Sequence, residues 1–154
     1  MHRLLAATLL LTAAAAHAQL PIKVDGADRP DQIPDNIAYA HFVILMAQSD
    51  EPSTDELARG QGALKKLDLA AADTTRFKAA LAGVHKELEF LTREEARLSA
   101  AKAEPARIDR LRLQRSRVFD EATTRLKRLS PAGRAKLEAF IEAEIKPNVV
   151  IYGE

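Results

Sequence analysis

Residues 71–129 read AADTTRFKAALAGVHKELEFLTREEARLSAAKAEPARIDRLRLQRSRVFDEATTRLKRL and predict two long helices that meet at Pro105. Apolar residues of the first helix recur at spacings of 4, 3, 4 and 3, which places them on one helical face: Phe77, Leu81, Val84, Leu88 and Leu91. Asp73 is a candidate cap at the start of this first helix, and Gly83 is expected to destabilise the helix locally. Proline suits the first turn of a helix, so the second helix is expected to begin at Pro105. A single helix kinked at Pro105 is the alternative.

The second helix has its own apolar stripe and an excess of positive charge. The stripe consists of Ile108, Leu111, Val118, Phe119, Ala122, Leu126 and Leu129. Arg115 falls where this stripe calls for an apolar residue, and we expect it to snorkel to the edge of the interface. Residues 105–129 contain eight basic and three acidic side chains, whereas residues 19–57 contain two basic and eight acidic ones. The candidate partner-binding residues are Arg107, Arg110, Arg112, Arg115 and Arg117.

Two explanations of this charge asymmetry remain open. The acidic segment can lie against the basic helix within the chain, or the basic helix can offer its face to an acidic polypeptide, a lipid headgroup or a polyanion. Few aromatic residues lie between the arginines, so stacking on single-stranded nucleic acid is not expected.

The first 18 residues have the pattern of a secretory signal peptide. Arg3 precedes an apolar run, and Ala16-His17-Ala18 matches a small-x-small cleavage site. The run is shorter than the roughly 20 residues of a membrane span, and an uncleaved anchor is the alternative. Removal of this segment leaves 136 residues with 22 basic and 22 acidic side chains, which disfavours a globally basic nucleic-acid binder. The predicted location is periplasmic or secreted.

The region after the signal contains a leader and a strongly apolar helix. Residues 19–34 combine three prolines with three aspartates, which predicts an extended, solvated or loosely docked arm; a cation site is the alternative. Asp35 is expected to cap a helix that reaches Ala47 and is apolar nearly all round. Such a helix is normally buried, although docking to a partner or membrane is the alternative. His41 lies within it and is expected to be a structural, hydrogen-bonded histidine rather than a ligand.

Later helix boundaries are marked by capping residues. Ser53 with Glu56 resembles a capping box, although Gly60 and Gly62 weaken the helix that follows. Ser130 with Pro131 predicts the start of the last helix, whose inward stripe consists of Leu137, Phe140, Ile141 and Ile145. Glu142 can pair with Lys146, and Pro147 is expected to end the helix. Residues 147–154 then form an extended apolar tail.

Catalytic motifs are not apparent in the sequence. It contains no cysteine, no glycine-rich phosphate loop and no G-x-S-x-G elbow, and neither His41 nor His85 belongs to a metal-binding motif. An acid pair such as Glu87 with Glu94 is the remaining catalytic alternative. We therefore expect no enzyme activity, no cofactor and no metal.

Two resemblances accompany these patterns. Residues 91–95 read LTREE and residues 129–133 read LSPAG, which resembles the repeated Leu-Thr-x-x-Gln motif of small exported bacterial helical proteins of the Spy/CpxP type, without its glutamine. That resemblance implies a periplasmic ATP-independent chaperone or stress sensor built on a helical hairpin and often dimeric. Residues 33–39, IPDNIAY, and 146–148, KPN, are similar to a group of uncharacterised exported bacterial helical proteins.

The sequence as a whole predicts an all-α protein with a long antiparallel helical hairpin and two or three shorter helices packed on it. Its predicted parts are a signal peptide (1–18), an acidic leader (19–34), a helical domain (35–146) and a tail (147–154). The expected function is non-catalytic binding or chaperone-like activity towards a protein or peptide, through apolar surface rimmed by arginines. A structural homo-oligomer, such as a homodimer, is the alternative. No nucleic-acid partner and no integral membrane segment after signal removal are expected.

Overall fold

The computed structural model describes residues 22–49 and 51–153 and confirms an all-α fold. The predicted signal peptide lies outside these residues. The helices are α1 (Asp35–Met46), α2 (Thr54–Leu67), α3 (Ala71–Leu81), α4 (Val84–Ala100), α5 (Pro105–Leu126) and α6 (Pro131–Phe140), and the strands are β1 (Ile22–Asp25) and β2 (Val150–Tyr152). Within the described ranges, no helix combines the length and apolarity that crossing a bilayer requires.

The hairpin is formed by α4 and α5, with Pro105 as the first residue of α5, as predicted. Its first arm is not a single helix, so that prediction is wrong: α3 ends at Leu81, and α4 begins after Gly83, which has a φ of 77°. This left-handed conformation is easy for glycine because it has no Cβ. The break turns the chain so that both α3 and α4 pack against α5.

The core forms where α1 meets the hairpin and the C-terminal segment. Phe42 of α1 is fully buried and makes edge contacts with Phe77 and Phe140 at ring-centroid distances of 5.9 and 6.0 Å. The predicted stripe of α3 and α4 faces this core: Phe77, Leu81, Val84 and Leu91 are buried, and Leu88 packs against them partly buried. The periodic pattern of this arm is therefore confirmed even though its helix is broken.

Helix α1 is buried on one side only, which corrects the expectation that it is enclosed. Its inner face carries Ala38, Tyr39, Phe42, Val43 and Met46. The outer face exposes 40% of Ile37 and 51% of Ile44. Asp35 does not cap the helix as predicted but is its first residue, and its carboxylate pairs with the Lys146 ammonium at 2.8 Å.

Two helix starts follow the predicted capping chemistry. Ser53 and Glu56 form the capping box of α2, which continues through Gly60 and Gly62 without a break. The Ser130 hydroxyl accepts a hydrogen bond from the Gly133 backbone amide at 3.1 Å at the start of α6. A π-helical turn, Ile141–Ile145, extends α6. The predicted pair between Glu142 and Lys146 is present.

The two ends of the described chain meet in a small antiparallel sheet. Ile22 pairs with Tyr152 and Asp25 with Val150, with a shift in register between Ile22 and Val24, so part of the predicted irregular leader forms a strand. Val24 and Ile151 pack towards the core, whereas the outer face exposes Ile22 and Tyr152. A 3₁₀ turn, Lys146–Asn148, leads into β2 and contains Pro147.

Candidate binding surface

The five arginines predicted to bind a partner lie on α5 but do not act as one group. Arg107, Arg110 and Arg117 are exposed and form no ion pair with any residue of the described ranges. Arg112 and Arg115 instead turn towards α4. The structure thus divides the predicted set into three exposed cations without ion pairs in the described ranges and two cations that pair with α4 across the hairpin.

Glu95 of α4 accounts for the two inward-turned arginines. One carboxylate oxygen of Glu95 lies 2.9 Å from Nε of Arg112, and the other lies 3.0 Å from Arg115. The Glu95 side chain is only 19% exposed. Arg115 was expected to snorkel out of the interface, and it reaches the interface edge by pairing across it. These contacts neutralise charge where α4 and α5 pack.

The remaining α5 arginines flank an exposed leucine that the sequence interpretation missed. Leu113 lies three residues after Arg110 and four before Arg117, a spacing that places all three side chains on one side of a helix. Leu113 is 55% exposed. Arg107 lies one turn before Arg110, at the edge of this side that is farther from Leu113. We call this surface, consisting of Arg107, Arg110, Leu113 and Arg117, the α5 outer face.

Helix α4 also has an exposed apolar residue beside arginines, but these arginines form ion pairs. Phe90 is 56% exposed, and Arg93 and Arg97 follow it on the same side. Both arginines have carboxylate partners on their own helix: Arg93 lies 3.9 Å from Glu89, and Arg97 lies 2.7 Å from Glu94. An apolar residue that falls outside a helix's inward stripe is the sequence signal that identifies both Phe90 and Leu113.

The acidic leader does not neutralise the α5 outer face in the region that is described. Asp25 accepts a hydrogen bond from the Ala27 backbone amide at 2.9 Å, which stabilises the turn after β1. The carboxylates that pair with α5 arginines are those of Glu95, Asp109 and Glu121, none of which belongs to the leader. These contacts do not support the explanation in which the acidic segment lies against the basic helix within the chain.

The titratable residues considered for catalysis lie on two helices: His41 is on α1, and His85, Glu87 and Glu94 are on α4. Burial lowers the pKa of His41, which lies half-buried on α1. Hydrogen bonds from Arg97 lower the pKa of Glu94, which therefore stays ionised, whereas a general acid needs a raised pKa. Within residues 22–49 and 51–153, no three histidine or acidic side chains are grouped closely enough to hold a metal ion.

No protein-family model, curated protein or solved structure matches this chain. The resemblance to the Spy/CpxP type therefore stays a prediction. The structure places its two approximate motifs differently: residues 129–133 are at the start of α6, whereas residues 91–95 lie within α4.

Proposed function

We propose that the protein is exported and works as a non-catalytic binding or chaperone-like module, whose α5 outer face holds acidic, partly apolar segments of other polypeptides. Export rests on the signal-peptide pattern of residues 1–18. The location would then be the periplasm or the extracellular medium, where a protein without cysteine depends on its apolar core for stability.

The observation that carries this proposal is the exposure of Leu113 between two arginines without ion-pair partners in the described chain. Unpaired cations raise the rate at which an acidic segment is encountered, and their effect is screened by salt. Covering the exposed half of Leu113 contributes about 1 kcal/mol. A single apolar anchor with cationic neighbours favours weak, rapidly reversible contacts, which suits the transient retention of unfolded segments.

The test is suppression of aggregation of an acidic, chemically unfolded client by the protein in molar excess. The variant Arg110→Glu/Arg117→Glu and the variant Leu113→Ser should each weaken suppression, because the first removes the attraction and the second the apolar anchor. Arg59→Glu/Lys65→Glu on α2 is the matched control, since it makes the same charge change at two exposed positions away from α5. Raising the salt concentration should weaken suppression by the unmodified protein.

Failure of the unmodified protein to suppress aggregation would refute this function. Equal losses in the α5 variant and the α2 control would show that net charge, rather than the α5 outer face, is responsible. Circular dichroism of each variant establishes that the helical fold is retained.

One observation favours the alternative, a structural homo-oligomer. Ile22 and Tyr152 pair across the sheet, are 57% and 55% exposed, and lie at strand edges that have no further partner among the described residues. Exposed strand edges of this kind can pair with another chain. Light scattering over a range of concentrations tests this: a mass above that of the monomer that falls to the monomer in Tyr152→Ser would support it.

A further inference from the structure

A cavity of about 380 Å³ separates α2 from α3. The two helices are joined by the short connection 68–70, and both of them contribute residues to the lining of the cavity. Met46, the last residue of α1, and Gln48, which follows that helix, also line it. We call this cavity the α2–α3 groove. It lies on different helices from the α5 outer face.

Two apolar stripes line the α2–α3 groove from opposite sides. Leu57 and Leu64 face it from α2, and Phe77 and Leu81 face it from α3. Helix α2 packs on α1 and α6 but not closely on α3. As a result, 42% of Leu57 is exposed beside the gap. The groove is partly open to solvent, and mostly apolar clefts of about this size are typical of ligand sites.

The groove contains a single charged lining residue, Lys78 of α3. Lys78 is exposed and forms no ion pair with any residue of the described chain, and no described acidic residue lines the groove. The side-chain amides of Gln48 and Gln61 supply further hydrogen-bonding groups. An occupant that satisfies this lining has an apolar body and a negatively charged end.

We propose that the α2–α3 groove binds a medium-length fatty acid, with its alkyl chain between the leucines of α2 and α3 and its carboxylate beside Lys78. At about 30 Å³ for each water-sized group, the volume of the groove corresponds to about a dozen non-hydrogen atoms, which is the size of decanoate. The α2–α3 groove and Lys78 lie on different helices from the α5 outer face, so this proposal can be tested independently of the proposed function.

Isothermal titration of the protein with decanoate, octanoate and decanol tests the size and charge of the ligand. Each methylene placed in an apolar site contributes about fourfold in affinity, so decanoate, which has two more methylenes, should bind roughly fifteenfold more tightly than octanoate. Decanol has the same chain without the charge and should bind several-fold more weakly than decanoate. Absence of decanoate binding, or equal binding of decanol and decanoate, would overturn the proposal.

Two pairs of variants locate the site. Ala82→Trp places a bulky side chain in the groove and should abolish decanoate binding, whereas Ala79→Trp, at an exposed position of α3 outside the lining, should not. Lys78→Ala should weaken decanoate about fivefold and leave decanol unchanged, whereas Lys65→Ala on α2 should change neither.

The lysine pair keeps the test informative if Ala82→Trp does not fold. Equal weakening in Lys78→Ala and Lys65→Ala would place the carboxylate elsewhere and overturn the assignment. Tight binding of a leucine-rich peptide together with no binding of decanoate would show that the groove accepts polypeptide side chains instead, and would also overturn it.

Discussion

The carboxylate of Asp73, in the first turn of α3, accepts hydrogen bonds from both the backbone amide and the hydroxyl of Ser130, 57 residues further along the chain. The distance from the Ser130 amide to Asp73 is 2.9 Å. The same hydroxyl accepts from the Gly133 amide, so Asp73 orients the residue that caps α6. Asp73 is 2% exposed and also pairs with Arg76 at 3.1 Å.

Removing the Asp73 carboxylate should destabilise the fold more than removing the Ser130 hydroxyl. Ser130→Ala removes the capping oxygen and one donor to Asp73 but keeps the backbone amide bound to that carboxylate, and should lower stability by about 1 kcal/mol. Asp73→Ala leaves the Ser130 amide and hydroxyl without their buried acceptor, so a larger loss is expected. Urea denaturation followed by circular dichroism measures both. A smaller effect of Asp73→Ala than of Ser130→Ala would contradict this account.

Acid should destabilise the protein through Asp73 and Glu56. Hydrogen bonds from the Ser130 hydroxyl and amide, and then from Arg76, hold the pKa of Asp73 below its ordinary value of 3.8. The pKa of Glu56 is lowered to about 2, mainly because its carboxylate accepts hydrogen bonds from the backbone amides of Ser53 and Ser49. A carboxyl whose pKa is lower in the folded state contributes stability above its unfolded pKa and loses that contribution as the pH falls through its folded pKa.

The urea midpoint should therefore be steady near neutral pH and fall below about pH 4. Asp73→Asn and Glu56→Gln should each flatten this fall, because each removes one of the titrating groups. The exposed Glu89→Gln is the control and should leave the slope nearly unchanged. If both test variants keep the slope of the unmodified protein, other carboxyls control its acid stability.

Substitution by alanine should lower the stability of the protein at Gly83 and raise it at Gly62. Gly83 has a φ of 77°, which costs an L-residue about 1–2 kcal/mol, so Gly83→Ala should destabilise the protein by that amount. Gly62 lies within α2, and a Cβ there would meet nothing within 4 Å, so Gly62→Ala should stabilise it by roughly 0.5–1 kcal/mol. Thermal unfolding compares them. Equal effects at the two positions would contradict the left-handed turn at Gly83.

Replacement of Tyr39 by phenylalanine should stabilise the protein. Its hydroxyl is buried and is the one buried side-chain polar atom in the described ranges without a hydrogen-bond partner. Burial raises the pKa of Tyr39, as expected for a phenol that is shielded from water. Tyr39→Phe keeps the ring beneath the Lys127 ammonium, 5.2 Å away, and should stabilise by about 1 kcal/mol.

Tyr152 supplies the control for this substitution. Its side chain is 55% exposed, so Tyr152→Phe removes a solvated hydroxyl and should change the urea midpoint little. A loss of stability in Tyr39→Phe would mean that its hydroxyl has a partner, such as a buried water.

The sequence identified the features that depend on neighbouring residues. The spacing of Phe77, Leu81 and Val84 predicted which side of the hairpin is buried, and the Ser53 and Ser130 caps predicted two helix starts. These signals are readable because a helix returns every third or fourth residue to the same side and leaves its first amides unpaired. Asp73 was predicted to cap its own helix, α3. Its actual contact with Ser130 was missed because Ser130 lies 57 residues further along the chain.

Long-range packing determined the remaining features. The sequence showed that Gly83 would weaken the helix, but only the packing of α3 and α4 on α5 explains why the helix breaks there. The pairing of Arg115 with Glu95, the exposure of Leu113 and the gap between α2 and α3 depend on where helices distant in sequence come to lie. Local patterns carry no information on such placement, because the free energy that decides it comes from surfaces buried between separate elements.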